Sequence, residues 1–352
     1  MFAYYLMVLV PFLGLLLDKK RRGIAFLSIF FIGLFLVLSV RSVSVGSDLI
    51  TYESMFNSFS KLDLPKILAL DYETGYVLLN KVVAICGGDF QTLLVACAFL
   101  TTFPFWLLYK DEAENYPILI MALFLVVFPF TMMFSGLRQA IAMGLVALSY
   151  LATKKHKLFT FIFTVLLAYT FHESAWVAFI IYPIYNIKVK PFWLWCIIPI
   201  MVIVFLLNDH IFEFILPLFN DRYVERYDDI VNTKDYEMLI LFSVFLAFSF
   251  IVPDENKLDN EAKGLRSILL VVVFLQLFVP ISFVAMRINY YFIPFVLLLI
   301  PKVMKSAKEK YVALMPLANF VMCAFFITYF FVIGHLGRAT LNIVPYIPVW
   351  GN

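Results

Sequence analysis

Charged residues are scarce in this sequence, and the two signs nearly cancel. Asp, Glu, Lys and Arg make up only 14% of the 352 residues, and the formal net charge is +3. So small a positive charge argues against nucleic acid as a partner. The hydrophobic fraction of 63% and the mean hydropathy of +0.94 lie outside the range of soluble domains. The composition therefore predicts an all-α polytopic membrane protein, with one transmembrane domain over residues 1–352 and no sizeable soluble domain.

Motifs for metal binding, redox chemistry and export are sparse as well. The first apolar segment ends in "DKKRR" without a small-residue cleavage site, so we predict no cleavable signal. The one acidic pair in a predicted outer loop, Asp228–Asp229, is typical of a solvated turn. Four cysteines are scattered through apolar segments without metal or redox spacing: Cys86, Cys97, Cys196 and Cys323. We therefore predict neither a metal nor a cofactor.

What the sequence does contain is a series of long apolar runs. Segments of about 15 to 24 apolar residues can cross a bilayer as helices. They predict twelve spans, at 3–17, 23–40, 90–108, 116–134, 137–152, 157–171, 173–187, 191–207, 237–252, 266–283, 289–301 and 311–334. One further stretch, "ETGYVLLNKVVAICGG" at 73–88, is interrupted by Asn80 and Lys81. It is either a thirteenth span or an interfacial or re-entrant helix.

The distribution of charge decides between these two interpretations. If 73–88 does not span and the chain begins outside, the inner segments hold 17 of the 27 basic residues and 9 of the 24 acidic ones. The inner side is then net positive and the outer side net negative, as the positive-inside rule requires. A thirteenth span would move "TKKHK" and "KVK" outside. We therefore predict twelve spans, an outer loop at 41–89 with an interfacial helix, and a second long outer loop at 208–236.

A single arginine interrupts the longest uncharged run. Arg138 is the only charged residue between positions 116 and 153, and a bare guanidinium in hydrocarbon costs roughly 2.5–3.5 kcal/mol on insertion scales. A helix of that length would measure about 57 Å, far more than one hydrocarbon thickness. The run must therefore turn, and "FSG" at 134–136 is the turn. Arg138 is predicted to lie in the first turn of the fifth span, at the outer face.

The other unusual polar residues fall on the same predicted face. Arg138, His172 and Arg287 are expected at or near outward-facing helix N-termini, where free N–H groups and the helix dipole favour an anion. Together with Arg41, three arginines then lie on this face beside two acids, Asp48 and Glu73. The set predicts an anion site at the outer membrane surface.

Each of these residues also has a simpler structural interpretation, which the sequence leaves open. Arg41 could be an interfacial residue whose charge reaches water. Asp48 and Glu73 could be helix caps or counter-ions for the arginines, and His172 could cap a helix start. Arg287, followed by "NYY", could belong to an aromatic belt. The 210–236 stretch could be a lid, an acceptor groove or an interfacial helix.

Four motifs in a fixed order resemble one protein family. They are "R…VGSD…Y" (Arg41, Gly46, Asp48, Tyr52), then "YETGYVLLN", "FSGLRQAIA" and "FHESA". In this order they resemble the EpsG-like branch of the Wzy-type bacterial polysaccharide polymerases, over about residues 36 to 187, and "RINYY" extends the resemblance. It implies a GT-C-like architecture in the bacterial cytoplasmic membrane, with the active site facing outside.

The resemblance also implies a reaction and its partners. Such enzymes use two polyprenyl-pyrophosphate-linked oligosaccharides, a donor and an acceptor, in the outer leaflet of the bilayer. The growing glycan moves to a sugar hydroxyl of the incoming repeat unit, and polyprenyl (undecaprenyl) pyrophosphate leaves. A chain-length regulator and a flippase are further partners that the resemblance implies. Arginines suit the pyrophosphate, and a carboxylate or a histidine suits the deprotonation of the hydroxyl.

These considerations give a hypothesis for the role of each residue. Arg138 and Arg287 are predicted to bind the pyrophosphate, with Arg41 as a third arginine or as the partner of Asp48. His172 is the first choice for the base, and Glu73 or Asp48 is the second. Four residues are predicted to support the site: Gln139, Tyr52, Tyr290 and Tyr291.

Two other functions fit the sequence less well. A transporter or flippase of similar size is expected to show internal repeats and charges near mid-membrane, whereas the unusual charges here cluster on one predicted face. An outer-leaflet ligase, which attaches finished glycan to a different acceptor, is harder to separate from a polymerase by sequence. Polymer formation from one lipid-linked repeat unit distinguishes them.

Overall fold

The structure, a computed structural model, describes residues 2–17, 23–70, 72–112, 116–127, 130–215, 236–335 and 342–351. Within these ranges the chain is helical, and its extended pairings are two isolated bridges, Arg41 with Pro348 and Pro253 with Ala307. The predicted all-α class is confirmed for this part of the chain. The α-helices are α1 (Phe2–Leu17), α2 (Gly23–Ser39), α3 (Leu49–Lys61), α4 (Leu64–Leu68), α5 (Thr74–Ile85), α6 (Phe90–Tyr109), α7 (Pro117–Val126), α8 (Met132–Ser135), α9 (Leu137–Lys154), α10 (Leu158–Phe171), α11 (Ile181–Ile187), α12 (Leu194–Leu206), α13 (Asn208–Ile215), α14 (Glu237–Ile251), α15 (Asn260–Gln276), α16 (Phe283–Asn289), α17 (Ile293–Lys305), α18 (Glu309–Val312) and α19 (Met315–His335).

Most predicted spans correspond to one helix each, with ends that agree within a few residues. These helices are α1, α2, α6, α9, α10, α12, α14, α17 and α19. Two other predicted spans are subdivided. The 116–134 span becomes α7 followed by the separate short helix α8, and the 173–187 span begins as a 3-10 helix, Glu173–Ile180, before α11.

The predicted span at 266–283 has the wrong boundaries. Its helix, α15, begins earlier because the Asp259 side chain accepts a hydrogen bond from the backbone N–H of Ala262 at 2.6 Å and caps the helix start. It ends at Gln276, before Pro280, which has no N–H to continue the helix. Ser282 then caps the next helix, α16.

By length and composition, one helix in the described residues, Phe90–Glu112, can cross a membrane alone. Two bent pairs raise the number to three if each is one span. They are Glu173–Ile187 with Pro191–Leu206, bent by 119°, and Phe283–Asn289 with Ile293–Lys305, bent by 53°. Shorter apolar helical stretches of 10–17 residues lie in α1, α2, α5, α7, α10, α14 and α19. The apolar helices are those of a membrane protein, and the twelve-span arrangement remains a prediction.

The chain contains two compact units, which we describe separately. Unit 1 comprises Met1–Phe179 and Pro316–Asn352, and unit 2 comprises Ile180–Met315. In unit 1, α9 packs against α6 and α10, and α6 packs against α2. Every residue of α7 from Pro117 to Leu125 is buried, as expected of a helix that is apolar on all sides.

The predicted outer loop at 41–89 contains three helices, α3, α4 and α5, where one interfacial helix was expected. Its most informative contact is made by Gly75, near the start of α5. A Cβ at Gly75 would lie 2.9 Å from the backbone oxygen of Thr170, so α5 can approach the end of α10 only because this residue has no side chain. The contact brings the motif "YETGY" next to the motif "FHESA".

Unit 2 is organised around α15, which packs against α11, α14, α16 and α17. Two clusters of charge lie at the start of this helix. The Arg266 guanidinium is fully buried and lies 2.7 Å from a carboxylate oxygen of Glu255. The Lys302 ammonium lies 3.1 Å from Glu261 and 3.5 Å from Asp259. These ion pairs join α15 to the segment before it and to α17.

Candidate active site

Arg138 is the centre of a charged cluster in unit 1. Its terminal nitrogen Nη1 forms an ion pair with Oε2 of Glu73, and its Nε lies 3.4 Å from the hydroxyl oxygen of Tyr52. The guanidinium also lies 5.8 Å from the centre of the Tyr52 ring, within the range of a cation–π interaction. The side chains of Arg138 and Glu73 remain 27% and 12% exposed. The cluster is therefore braced by protein groups and still open to a ligand.

Three different helices deliver these three side chains. Arg138 is the second residue of α9, as predicted from the uncharged run, and Gly136 precedes the helix. Glu73 occupies the N-cap position of α5, and Tyr52 lies one turn into α3. The sequence therefore places each residue at or near a helix start, and the packing of the three helices brings the starts together.

Tyr52 lies in the core of this region. It is 6% exposed, and its ring meets the Tyr76 ring edge-on with centroids 5.5 Å apart. Burial raises the pKa of the Tyr52 phenol, the Arg138 guanidinium lowers it and the Asp48 carboxylate raises it, with a net increase. Tyr52 is therefore a neutral phenol at physiological pH, able to accept a hydrogen bond from Arg138 and to donate its own proton elsewhere.

The turn that precedes Arg138 is held by the loop at 40–48. Gly46 has a φ of +126°, and a Cβ there would lie 2.3 Å from the backbone oxygen of Phe134. Only glycine accommodates both the left-handed backbone and this close approach. The backbone N–H of Ser47 donates to Oγ of Ser135 at 3.0 Å. The motif "VGSD" thus packs directly against "FSG".

Arg41 is buried beneath the same turn. Its two terminal nitrogens donate to the backbone oxygens of Leu38 at 2.6 Å and Phe134 at 3.2 Å, and the guanidinium lies 5.4 Å from the centre of the Phe134 ring. The residue is 1% exposed, and burial lowers its pKa to about 10, so it stays charged near neutral pH. Its contacts are to backbone groups and not to Asp48, whose Oδ1 accepts a hydrogen bond from Oγ of Ser47 at 2.8 Å.

His172 lies between α10 and the 3-10 helix Glu173–Ile180, so it precedes a helix start as predicted. Its Nδ1 lies 2.8 Å from Oγ of Ser174 and 3.3 Å from the backbone N of the same residue. Because a backbone N–H can only donate, this contact favours the tautomer with the proton on Nε2. The Gly75–Thr170 contact places this end of α10 beside the start of α5, which carries Glu73.

The remaining predicted residues have different surroundings. Gln139 is buried beside Arg138 in the first turn of α9. Arg287 belongs to unit 2, and the expectation that it lies at a helix N-terminus is wrong. It lies in the last turn of α16, 4.6 Å from the centre of the Phe283 ring, because the chain ends α15 early and starts a new helix at Phe283. Of the two tyrosines that follow, Tyr290 is half-buried and Tyr291 is buried.

Several residues that build the cluster had no functional prediction from sequence. Ser47 and Gly75 lie inside the quoted motifs, and that is the only signal that singled them out. Ser135 likewise lies in the motif "FSGLRQAIA", whereas the 342–351 segment, which pairs with the loop at 40–48, has no such signal. The described residues contain no group of three or more His, Cys, Asp or Glu side chains arranged for a metal ion. Asp228–Asp229 and most of the 208–236 loop lie outside the described residues.

Comparison with known proteins gives one family. The family model described as "EpsG family" matches residues 24–347, which include all four motifs, "RINYY" and every predicted site residue. No curated protein and no solved structure matches the chain.

Proposed function

This chain belongs to the EpsG family, and from that membership and the Arg138 cluster we propose that it is a polysaccharide polymerase of the Wzy type. The proposed reaction joins polyprenyl-pyrophosphate-linked oligosaccharide repeat units at the outer leaflet of the bacterial cytoplasmic membrane. One lipid-linked glycan is the donor, a second is the acceptor, and polyprenyl pyrophosphate is released.

The observation that carries the proposal is the partly exposed Arg138 side chain. Its described contacts use Nε and Nη1, so Nη2 can donate to a phosphate oxygen while Tyr52 keeps its contact with Nε. Guanidinium suits pyrophosphate because its planar N–H donors match two phosphate oxygens at once. It also stabilises the negative charge that grows on the leaving group as the glycosidic bond breaks.

Glu73 has two functions in this proposal. In the free protein its carboxylate forms an ion pair with the Arg138 guanidinium, the group that is proposed to bind the pyrophosphate. When the pyrophosphate replaces it, Glu73 is released within reach of the same reacting centre. The acceptor hydroxyl oxygen then bonds to the anomeric carbon of the donor, the hydroxyl proton passes to Glu73, and the electrons of the broken C–O bond leave with polyprenyl pyrophosphate.

The contacts of His172 change the order of preference for the base. In the tautomer that Ser174 favours, Nδ1 is already an acceptor within the protein and Nε2 carries a proton. Such a ring can donate a hydrogen bond to a phosphate or sugar oxygen, but it has no free lone pair for the acceptor hydroxyl. We therefore assign the base to Glu73 and a donor role to His172, with Asp48 as the alternative base.

The other proposed roles rest on the family resemblance. Arg41 is the exception, because its hydrogen bond to the backbone oxygen of Phe134 supports a role in positioning the turn before Arg138. Arg287 is proposed, on the resemblance, as a second pyrophosphate ligand, with Tyr290 and Tyr291 beside it. The GT-C-like architecture, the outward orientation, the chain-length regulator and the flippase have the same basis.

The test is a reconstitution. Purified protein in vesicles receives one polyprenyl-pyrophosphate-linked repeat unit, and the products are separated by size. A ladder of products that differ by whole repeat units, with one polyprenyl pyrophosphate released per linkage, supports the polymerase. Transfer only to a different acceptor identifies a ligase, and movement of the intact lipid across the bilayer without new linkages identifies a flippase. Either of these results contradicts the proposal.

A further inference from the structure

The 342–351 segment lies along the loop at 40–48 and pairs with it through backbone groups. The N–H of Ser42 donates to the oxygen of Ile347 at 2.8 Å, and the N–H of Val349 donates to the oxygen of Val40 at 2.8 Å. Between these two bonds, Arg41 and Pro348 form an antiparallel bridge. In the described residues no other strand pairs with the loop, so the 342–351 segment supplies hydrogen-bond partners for its backbone groups.

Further contacts fix both ends of the same loop. The N–H of Gly46 donates to the oxygen of Asn342 at 3.1 Å, and the Tyr346 hydroxyl donates to the oxygen of Val37, at the end of α2, at 2.9 Å. The Tyr4 hydroxyl donates to the oxygen of Ile343, while the Tyr4 ring meets both Tyr346 and Phe134 edge-on, each with centroids 5.8 Å apart. Hydrogen bonds thus connect the segment to α1, to the end of α2 and to three residues of the loop, Val40, Ser42 and Gly46.

The loop in turn holds the starts of two helices, α9 with Arg138 and α3 with Tyr52. In one direction, Arg41 and Ser47 bind the turn at 134–136, from which α9 and Arg138 start. In the other direction, Asp48 begins α3, which carries Tyr52. A displacement of the loop would therefore shift the start of α9 with Arg138 and the start of α3 with Tyr52.

We propose that the 342–351 segment is a positioning element of the active site, which holds the loop that aims Arg138 and Tyr52 at the pyrophosphate. The segment touches no reacting atom, so its effect is indirect. Catalytic groups must be held within a fraction of an ångström, and a misplacement of 1 Å can cost about 100-fold in rate. The inference rests on the proposed function for the identity of the ligand, and on the contacts above for the positioning.

The experiment compares three variants in vesicles. A chain that ends at residue 341 lacks the segment, and a matched control that ends at Gly351 keeps the whole segment and every hydrogen bond to the loop. Val349→Pro removes the N–H that donates to Val40 and keeps the rest of the segment, which covers the case in which the shortened chain folds poorly. Turnover is measured per folded molecule with one lipid-linked repeat unit. We expect the chain ending at residue 341 to lose about 100-fold in kcat, Val349→Pro about tenfold, and the control nothing.

Three results would overturn the proposal. The first is wild-type kcat in the chain that ends at residue 341. The second is a lower yield of folded protein with unchanged kcat in the folded fraction, because a merely structural segment changes the amount of enzyme and not its rate. The third is loss of kcat in the control that ends at Gly351, since that chain retains the contacts.

Amide hydrogen exchange separates this inference from the proposed function. If the full chain makes no polymer, the proposed function fails, and the positioning is judged by exchange at residues 40–48 and 134–140. Faster exchange at both stretches in the chain that ends at residue 341, relative to the control, supports the positioning element. Unchanged exchange at either stretch overturns it.

Discussion

Arg138 in unit 1 and Arg266 in unit 2 have the same kinds of partner but different exposure. Each pairs with a glutamate and lies against an aromatic ring: Arg138 with Glu73 and Tyr52, and Arg266 with Glu255 and Phe250. The Arg266 side chain is completely buried, and its other terminal nitrogen donates to the backbone oxygen of Ser249 at 2.8 Å. Arg138 keeps 27% of its side chain exposed.

This difference separates a structural arginine from one that can bind a ligand. Around Arg266 the backbone oxygen and the Phe250 ring, 4.2 Å away, close the positions that an anion would need. Arg138 is partly exposed, its described contacts leave Nη2 unused, and Glu73 is itself an acid that an anion can replace. A buried arginine–glutamate pair is therefore no evidence of function by itself. The evidence for a ligand-binding role is that part of the Arg138 side chain remains exposed.

The largest expected effect tests this difference directly by replacing each arginine with lysine. Lysine keeps the charge but loses the planar fork. Arg138→Lys should lower kcat by at least about 100-fold with little change in thermal unfolding. Arg266→Lys should lower the free energy of unfolding by about 2 kcal/mol, because the hydrogen bond to Ser249 and the stacking on Phe250 are lost, and leave kcat per folded molecule unchanged. Product ladders and thermal unfolding of both proteins check the pair.

A normal ladder from Arg138→Lys would show that Arg138 is an interfacial anchor and not a pyrophosphate ligand. A fall in kcat for folded Arg266→Lys would show that the contrast between the two arginines is mistaken.

The next effect concerns the two glutamates. Glu73→Gln should lower kcat by about 100-fold, since general bases contribute about 10²–10⁴-fold. It should also tighten binding of polyprenyl pyrophosphate, because the competing carboxylate on Arg138 is gone. Glu255→Gln should change only the free energy of unfolding, by about 1–2 kcal/mol, since this carboxylate is partly exposed. Steady-state kinetics and product inhibition measure both constants. Weaker binding of polyprenyl pyrophosphate by Glu73→Gln would exclude the replacement step.

The position of Arg138 in its helix could be predicted, whereas its contacts could not. An uncharged run too long for one span must turn, and turn geometry alone places Arg138 at a helix start. The contact with Tyr52 joins residues 86 positions apart and depends on how α3 lies against the start of α9. No periodicity encodes this packing. Gly75 contributes by allowing the close approach of α5 to α10, but a lone glycine has many explanations in a sequence.

The structure differs from the sequence predictions at two other places, and each difference has a specific cause. The apolar run continues past Gln276 and so predicts a helix start near Arg287, whereas the helix ends before Pro280 and a new one begins at Phe283, capped by Ser282. The pairing of the 342–351 segment with the loop could not be predicted because most of its contacts to the loop are through backbone groups. Such groups are present at almost every position, so the residue types of this segment carry no signal.

The third comparison is between alanine substitutions of two glycines, and its expected effect is smaller. In Gly46→Ala the new Cβ would meet the backbone oxygen of Phe134 at 2.3 Å, at a φ of +126°. In Gly264→Ala it would meet the Tyr185 ring at 2.5 Å and the Tyr185 backbone oxygen at 2.7 Å. Both should cost about 2–3 kcal/mol in the free energy of unfolding.

Only Gly46→Ala should also lower kcat per folded molecule, because it displaces the turn before Arg138. Equal losses of kcat in the two variants would mean that the rate depends on general stability and not on this turn.

The smallest expected effect comes from the helix caps, which lie outside both arginine clusters. Asp89 caps α6, where its Oδ1 accepts from the backbone N–H and the hydroxyl of Thr92 at 2.9 and 2.8 Å, and Asp259 caps α15. Replacing either with alanine should cost about 1 kcal/mol and leave kcat unchanged. The hydrogen bonds from Thr92 lower the pKa of Asp89 below its usual value. Its contribution is therefore complete above the unfolded pKa of about 3.9 and is lost as the pH falls through the folded value. Thermal unfolding of wild type and Asp89→Ala at pH 7 and below pH 4 measures this, and the gap between them should shrink in acid. A gap that persists in acid would mean that the Asp89 side chain stabilises α6 without its charge.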